Sequence, residues 1–301
     1  MLGKQPIRSA VLGILITLAL LSANVGAGAA ATSSSGGSGA KGAFRCDPAV
    51  AFDSGNFSNP TAINNQFTPL MPGTQFVLDG VADVGNGVQP HHLVLTVTDL
   101  TKVIDGVRTR VTWEVDTNGG QLVETELAFV AQDDEGNVWN LGEYPEEFEN
   151  GLFAGASNTW ISGLSDAEGG IRMMASPQRG TPWYLQGSVP SIEFLDCGKV
   201  RRTLSRRCVP AGCYQDVLVI LEDTPLEPGG GYQRKYYAPG VGNIQVNAVG
   251  DPEGETLDLI QIGQLSAEEL ALARQEALAL DARGCQFSAV YCDTSPAEGS
   301  P

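Results

Sequence analysis

The chain has 301 residues, with 18 Lys and Arg against 35 Asp and Glu, for a formal charge of −17. Phosphate backbones are held by concentrated positive charge, so an acidic excess of this size argues against a nucleic-acid partner. A hydrophobic content of 42%, with 37 Gly and 17 Pro, fits a loop-rich globular protein and excludes a coiled coil or a long disordered chain.

Residues 1–29 read as a secretory signal peptide. Lys4 and Arg8 precede the apolar run Ala10–Leu21, and small residues then lead to Ala27-Gly28-Ala29, a suitable cleavage site. The mature chain is therefore expected to be secreted from a bacterium or held at its surface. No Cys closely follows the apolar run, so no lipid anchor on a thiol is expected. No later apolar stretch reaches the roughly 18 residues of a membrane-spanning helix. Residues 30–43, with the run Ser33–Gly39, carry almost nothing to bury and read as a flexible leader.

All six Cys follow this leader. An even set in an oxidising compartment implies up to three disulfides. Cys285 and Cys292 are the expected pair, because they share one short terminal loop and little chain entropy is lost in joining them. Cys46, Cys197, Cys208 and Cys213 are left for two further links of open connectivity. The Cys208 to Cys213 spacing is not that of a zinc knuckle, and the two His lie far away.

Residues 44–264 form the expected β-rich domain. Leu93–Asp99, Val107–Val115 and Leu122–Val130 largely alternate apolar or β-branched residues with polar ones, the period of a half-buried strand. Asp105-Gly106, Asn118-Gly119-Gly120 and Glu135-Gly136-Asn137 supply turns between them. A second β-rich stretch, Val209–Leu259, contains Val217–Leu221 and Gly242–Val249. The fold class is mainly β: an antiparallel meander forming a curved sheet, an open barrel or a sandwich, with one C-terminal α-helix. That helix opens on the capping box Ser266-Ala-Glu-Glu269, with Leu265 and Leu270 as a hydrophobic staple, and is expected to end at Gly284. Its stripe Leu270, Ala273, Ala277 and Leu280 suits packing on the sheet. The helix and cysteine loop occupy residues 265–294, and residues 295–301 are expected to be loose.

Three segments carry a family resemblance: Asn59-Pro-Thr-Ala-Ile-Asn-Asn-Gln-Phe-Thr-Pro-Leu-Met-Pro-Gly-Thr74, Gln132-Asp-Asp-Glu-Gly-Asn-Val-Trp-Asn-Leu-Gly-Glu143 and Lys235-Tyr-Tyr-Ala-Pro-Gly-Val-Gly242. Asp99–Val107, Ala175–Gly180 and Val209–Gly212 fall in the same order. Over residues 59–249 the chain resembles a family of exported bacterial proteins of unknown function, which implies a β-rich fold and no transferable chemistry. It departs from that family at Asn140, where an aromatic is expected, and in having Cys208 and Cys213.

Several constellations are candidate sites. Asp133, Glu135 and Asn137 place hard oxygens on one turn, as calcium requires, although a hairpin turn uses Gly136 and Asn137 for the same backbone reason. Asp116, Glu124 and Glu126 are acids of similarly open meaning. His91 and His92, with Met71, Met173 and Met174, raise copper, but neighbouring strand residues point to opposite faces. No cofactor is required by any motif. Catalytic candidates are His91 or His92 assisting a nucleophile such as Ser165, Ser176, Ser188 or Ser191, and the carboxylate pair Glu143 and Glu147 for glycan cleavage. Trp139, Trp160, Trp183, Tyr184, Tyr236 and Tyr237 are candidates to line a cavity for an extracellular small molecule, glycan or surface component. Binding without catalysis is the leading expectation, a secreted hydrolase the second, and self-association through an unpaired strand edge the third.

Overall fold

The computed structural model describes residues 44–299 apart from positions 84, 86, 228 and 252. The expected signal peptide and leader, residues 1–43, lie outside the described residues. In chain order the strands are β1 (Ile63–Asn65), β2 (Thr68–Leu70), β3 (Thr74–Asp83), β4 (Val88–Ile104), β5 (Val107–Asn118), β6 (Gln121–Gln132) and β7 (Val138–Glu149). There follow β8 (Leu152–Gly155), β9 (Trp160–Ile161), β10 (Glu168–Met173), β11 (Tyr184–Val189), β12 (Phe194–Val209) and β13 (Gly212–Asp223). The last are β14 (Tyr232–Ala238), β15 (Gly242–Val249), β16 (Thr256–Gln264) and β17 (Glu298–Gly299), with the helix α1 (Ala267–Phe287) between β16 and β17.

The expected meander is present and closes on itself. Strands β3 to β7 pair antiparallel in sequence order, β16 pairs with β3, and β10 returns to β7 with Gly170 opposite Asn140, giving a twelve-stranded antiparallel barrel. Tight turns make this possible: Asp105 and Gly106 both take positive φ (50° and 78°) between β4 and β5, as an Asp-Gly hairpin demands. Closure removes edges from the ring, so association by edge pairing is left with short strands outside it, such as β8 and β17.

The inside of the barrel changes character along its axis. The β1–β2 hairpin closes one end, where Gly240 N–H donates to the Gln66 carbonyl (2.7 Å) and Gln132 N–H to the Pro60 carbonyl (2.8 Å). Ile63 and Leu70 of this plug pack with Phe76, Leu95, Val97 and Leu218 in an apolar core. Towards the other end the β5, β6 and β7 positions on the same face carry acids.

The opposite face of β4 to β7 carries a second core. Leu127, Phe129 and Tyr144 lie there beneath Ala277 and Leu280 of α1. Ion pairs clip the helix down: Arg274 to Asp99, Arg283 Nε to Glu146 Oε1 (2.7 Å), and Lys102 Nζ to Asp281 Oδ1 (2.8 Å). Lys102 is fully buried, with its ammonium 4.4 Å from the Tyr291 ring centroid. The Ser266–Glu269 capping box forms. The helix continues past Gly284 to Phe287, because Gly284 is not a terminator but a point of close approach. A Cβ there would sit 2.3 Å from Tyr291 Cδ1.

Residues 295–299, expected to be loose, are instead attached to the barrel. Ala297 N–H donates to Asp281 Oδ2 (2.8 Å), and Glu298 and Gly299 pair with Thr101 and Leu100. The disulfides are Cys46–Cys197, Cys208–Cys213 and Cys285–Cys292. The last is the expected pair, and all three suit the oxidising environment outside the cytosol. No helix among the described residues is long and apolar enough to cross a membrane.

Candidate functional site

The acidic region of the lumen is built by strand periodicity. Glu114 and Asp116 are two apart on β5, as Glu124 and Glu126 are on β6, so each pair projects to one face. Register then sets Glu114 opposite Glu126, and Asp116 opposite Glu124, which in turn faces Glu147 of β7. Glu143 faces Ala128 on the same side. Directly opposed residues have Cβ atoms about 4.5–5.5 Å apart, and opposed like charges repel. Glu114, Asp116, Glu124, Glu126 and Glu143 are all buried.

Burial accordingly dominates their ionisation. It raises Glu114 to about 7, with Arg172 opposing and Glu143 adding to the shift. It raises Asp116 to about 8, with His91 opposing. Glu124, Glu126 and Glu143 are pushed up for the same first reason, and the neighbouring acids add to it for Glu124 and Glu126. At neutral pH this patch therefore holds protons that the same side chains would have lost in water.

Three cations face it. His91 is buried, with Nδ1 2.5 Å from Asn118 Oδ1 and 3.3 Å from Asp116 Oδ1, and Nε2 3.3 Å from Glu255 Oε1. Burial pulls its pKa down, but the Glu255 hydrogen bond and the Asp116 and Glu255 charges outweigh that and lift it to about 9. Lys235 is ion-paired with Glu222. Arg172 lies within electrostatic reach of Glu114, Glu143 and Glu222.

Next to this patch lies a small cavity that is partly open to solvent. Its wall has the acids Glu143, Asp196 and Glu222, the bases Arg172 and Lys235, the amides Asn140, Gln186 and Asn243, and the rings of Phe194 and Tyr237. Gln186 is buried. Its Nε2 lies 3.3 Å from Glu222 Oε1, while its Oε1 accepts no hydrogen bond. Glu114 Oε2 and the Tyr184 hydroxyl are buried without hydrogen-bond partners as well.

The structure separates several residues that sequence placed together. Tyr237 lines the cavity, whereas Tyr236 lies under Arg207, whose Cζ is 4.8 Å from its ring centroid. Tyr184 is buried over Gly198 and near Glu222, while Trp183 stacks on Phe44 (4.3 Å). Trp160 borders the site, donating Nε1–H to Glu143 Oε2 (2.9 Å) and packing on Phe194. Trp139 belongs to the other face, between Phe52 and Phe57, with Nε1–H donated to Asp133 Oδ2 (2.9 Å).

The remaining candidates divide similarly. His91 enters the lumen, and His92 pairs with Asp79 at the surface. Met173 lies in the apolar core and Met71 is exposed, so the copper set does not converge. Asp133 Oδ1 accepts from Asn137 N–H (2.7 Å) and Oδ2 from Asn137 Nδ2 (2.8 Å), while Glu135 is exposed, so this turn uses its oxygens internally. Glu147 accepts from Asn158. Ser191 Oγ donates to Asp166 Oδ1 (2.6 Å), and Ser188 stands opposite Glu168 on β11. No cluster of three or more His, Cys, Asp or Glu residues poised to hold a metal ion occurs among the described residues.

Sequence reasoning missed Glu114, Arg172, Gln186, Asp196, Glu222, Lys235 and Glu255. The alternation of charge on β5 and β6 was a visible signal, but it reads as a solvated face until the sheet is known to close.

No protein-family model and no curated protein matches the chain. Two solved structures are similar. One, titled as an exported protein with a YmcC-like fold from Bacteroides fragilis, has 16% identity and a TM-score of 0.36, covering 66% of this chain and 100% of its own. The other, titled as a lipoprotein from Parabacteroides distasonis, has 14% identity and a TM-score of 0.38, covering 66% and 99%.

Proposed function

We propose that the protein is an exported, noncatalytic binding protein that takes a small polar molecule into its barrel lumen. The observation that carries this reading is the partly open cavity lined by Gln186, whose buried Oε1 accepts no hydrogen bond. Buried polar groups are satisfied in nearly all folded proteins, so an unpaired acceptor on a residue lining accessible space favours an occupant that donates hydrogen bonds. A concave site also suits a small molecule better than a long glycan laid over exposed rings. Trp139 and Trp160 are buried, and Trp183 is already stacked on Phe44.

The placement of the nucleophile candidates supports a noncatalytic role. The His91 nitrogens face Asn118, Asp116 and Glu255, and His92 faces Asp79, so both imidazoles are engaged by amide and carboxylate side chains rather than by a serine. Native mass spectrometry of the protein purified from its own secretion fluid tests the reading. A retained small-molecule mass is expected, lost on denaturation and absent from the cavity-filling variant Asn243→Trp when that variant keeps its circular dichroism. Turnover of a glycan or ester that disappears in Glu143→Gln would overturn it.

A further inference from the structure

Five neighbouring strands build the wall of the cavity. Arg172 comes from β10, Gln186 from β11, Asp196 from β12, Glu222 from β13 and Lys235 from β14, and all five residues line it. Register explains the convergence. Gly187 stands opposite Asp196, and the pairing shifts between Leu185 and Gly187, so Gln186 sits in a bulge beside Asp196. A Cβ on Gly170 would lie 2.6 Å from the Gln186 carbonyl carbon, so β10 runs close beside Gln186, and Arg172 follows two residues along.

Most polar groups on this wall are already matched. Lys235 is paired with Glu222, which also takes Gln186 Nε2 (3.3 Å). Glu143 Oε1 accepts from Asn140 Nδ2 (2.6 Å), and its Oε2 accepts from Trp160 Nε1 (2.9 Å). Three groups are left over. Gln186 is 8% exposed and its Oε1 accepts nothing; the amide is oriented by Glu222, whose carboxylate can take only the nitrogen end. Asp196 is 7% exposed, and no hydrogen bond or ion pair holds its carboxyl among the described residues. The Arg172 guanidinium has none either, and Glu114, Glu143 and Glu222 act on it from beyond ion-pair distance.

One carboxyl, one guanidinium and one amide oxygen without partners define their own complement. The guanidinium fork suits a carboxylate, and the two neighbouring acceptors suit a nitrogen with several N–H groups. Water can hydrogen-bond all three, but it brings no counter-charge to the buried guanidinium. Resting on the lumen-binding reading, we propose that the occupant is a small zwitterion, an α-amino acid with a short side chain. Its carboxylate meets Arg172, and its ammonium donates to Asp196 and to Gln186 Oε1. The small cavity, with the Phe194 and Tyr237 rings in its wall, excludes a long side chain. Burial, and after it the Glu222 charge, push the Asp196 carboxyl well above its usual range, so it keeps its proton in the empty site. An ammonium beside it favours the carboxylate, and that proton leaves to solvent as the ligand enters.

Isothermal titration calorimetry tests this on protein purified from its own secretion fluid and dialysed free of small molecules, with glycine, L-alanine and L-serine as probes. Propionate, ethylamine and glycerol are the comparison probes, lacking in turn the ammonium, the carboxylate and both. The expected result is saturable binding of at least one amino acid, with propionate and ethylamine weaker by about tenfold or more. Asp196→Asn and Arg172→Gln should each lose about tenfold or more of the amino-acid affinity while keeping their circular dichroism. Should either fail to fold, Gln186→Leu serves in its place, with a smaller loss of the same sign. Amino-acid binding unchanged in the folded variants would place it elsewhere on the chain and overturn the proposal. Propionate, ethylamine or glycerol binding as tightly as any amino acid would overturn the zwitterion while leaving lumen binding intact. No binding of any probe would overturn the zwitterion too, and if native mass spectrometry also finds no retained mass, the lumen-binding reading falls with it.

Discussion

The two faces of β5, β6 and β7 are made by alternate residues of the same strands, yet they are finished differently. On the outer face, Leu127, Phe129 and Tyr144 are covered by α1, and the buried ammonium of Lys102 has Asp281, the Ser295 carbonyl and the Tyr291 ring around it. On the inner face, Glu114 lies opposite Glu126 and Asp116 opposite Glu124, and several buried acceptors lack donors. A face finished by packing and paired charge serves stability. A face left with like charges together costs stability, and such a cost is expected where a site needs its groups poised.

Breaking the outer face should give the largest effect. Asp281 accepts from Lys102 Nζ and Tyr291 OH through Oδ1, and from Ala297 N–H through Oδ2. Asp281→Ala leaves a buried ammonium without its counter-charge and two other donors unmet, and is expected to lower stability by about 3–5 kcal/mol in urea unfolding. A loss below about 1 kcal/mol would mean that this face is not clamped as described. Smaller effects belong to the same face. The Cys285→Ser/Cys292→Ser variant opens a link of sequence separation 7, for an expected loss of about 2 kcal/mol by chain entropy. Arg274 is partly exposed, and Arg274→Ala, which removes its pairing with Asp99, should cost no more than about 1 kcal/mol. Measured in sequence, these three variants test whether the outer face follows burial rather than the number of contacts.

The two faces were not equally legible in the sequence. Leu127 and Phe129, alternating with Glu126 and Ala128, announced a two-faced strand, and the Asp105-Gly106 and Asn118-Gly119-Gly120 turns announced the meander. The Ser266–Glu269 box located the helix start to the residue. What stayed hidden was closure. The pairing of Gly170 with Asn140 joins residues thirty positions apart through a contact that leaves no periodic trace. Without it, Glu124 and Glu126 read as solvated charge; with it, they are buried. Pairs such as Tyr236–Tyr237 looked like one aromatic patch because sequence adjacency hides the pleat, which sends the two rings to different neighbours. Gly284 misled in another way, since a glycine can end a helix or admit a ring, and only Tyr291 distinguishes the two.

The inner face should answer mutation with the opposite sign. Glu126→Gln removes one of two opposed acids and is expected to stabilise the empty protein by up to about 1 kcal/mol. That gain should depend on pH, and the sign follows from proton counts. The folded carboxyls of Glu114 and Asp116 titrate near 7 and 8, above their usual range, so between about pH 4 and 8 the folded state binds more protons than the unfolded one. Stability then falls as pH rises through this window. His91, raised to about 9, adds a decline of the same sign between about pH 6.5 and 9. Thermal melting at pH 5 and pH 8.5 should therefore show a lower midpoint at the higher pH, with a smaller difference in Glu114→Gln/Glu126→Gln. A midpoint that rises with pH would mean that these acids are ionised and matched in the folded state. The inner face would then be as fully compensated as the outer one, and the contrast between them would disappear.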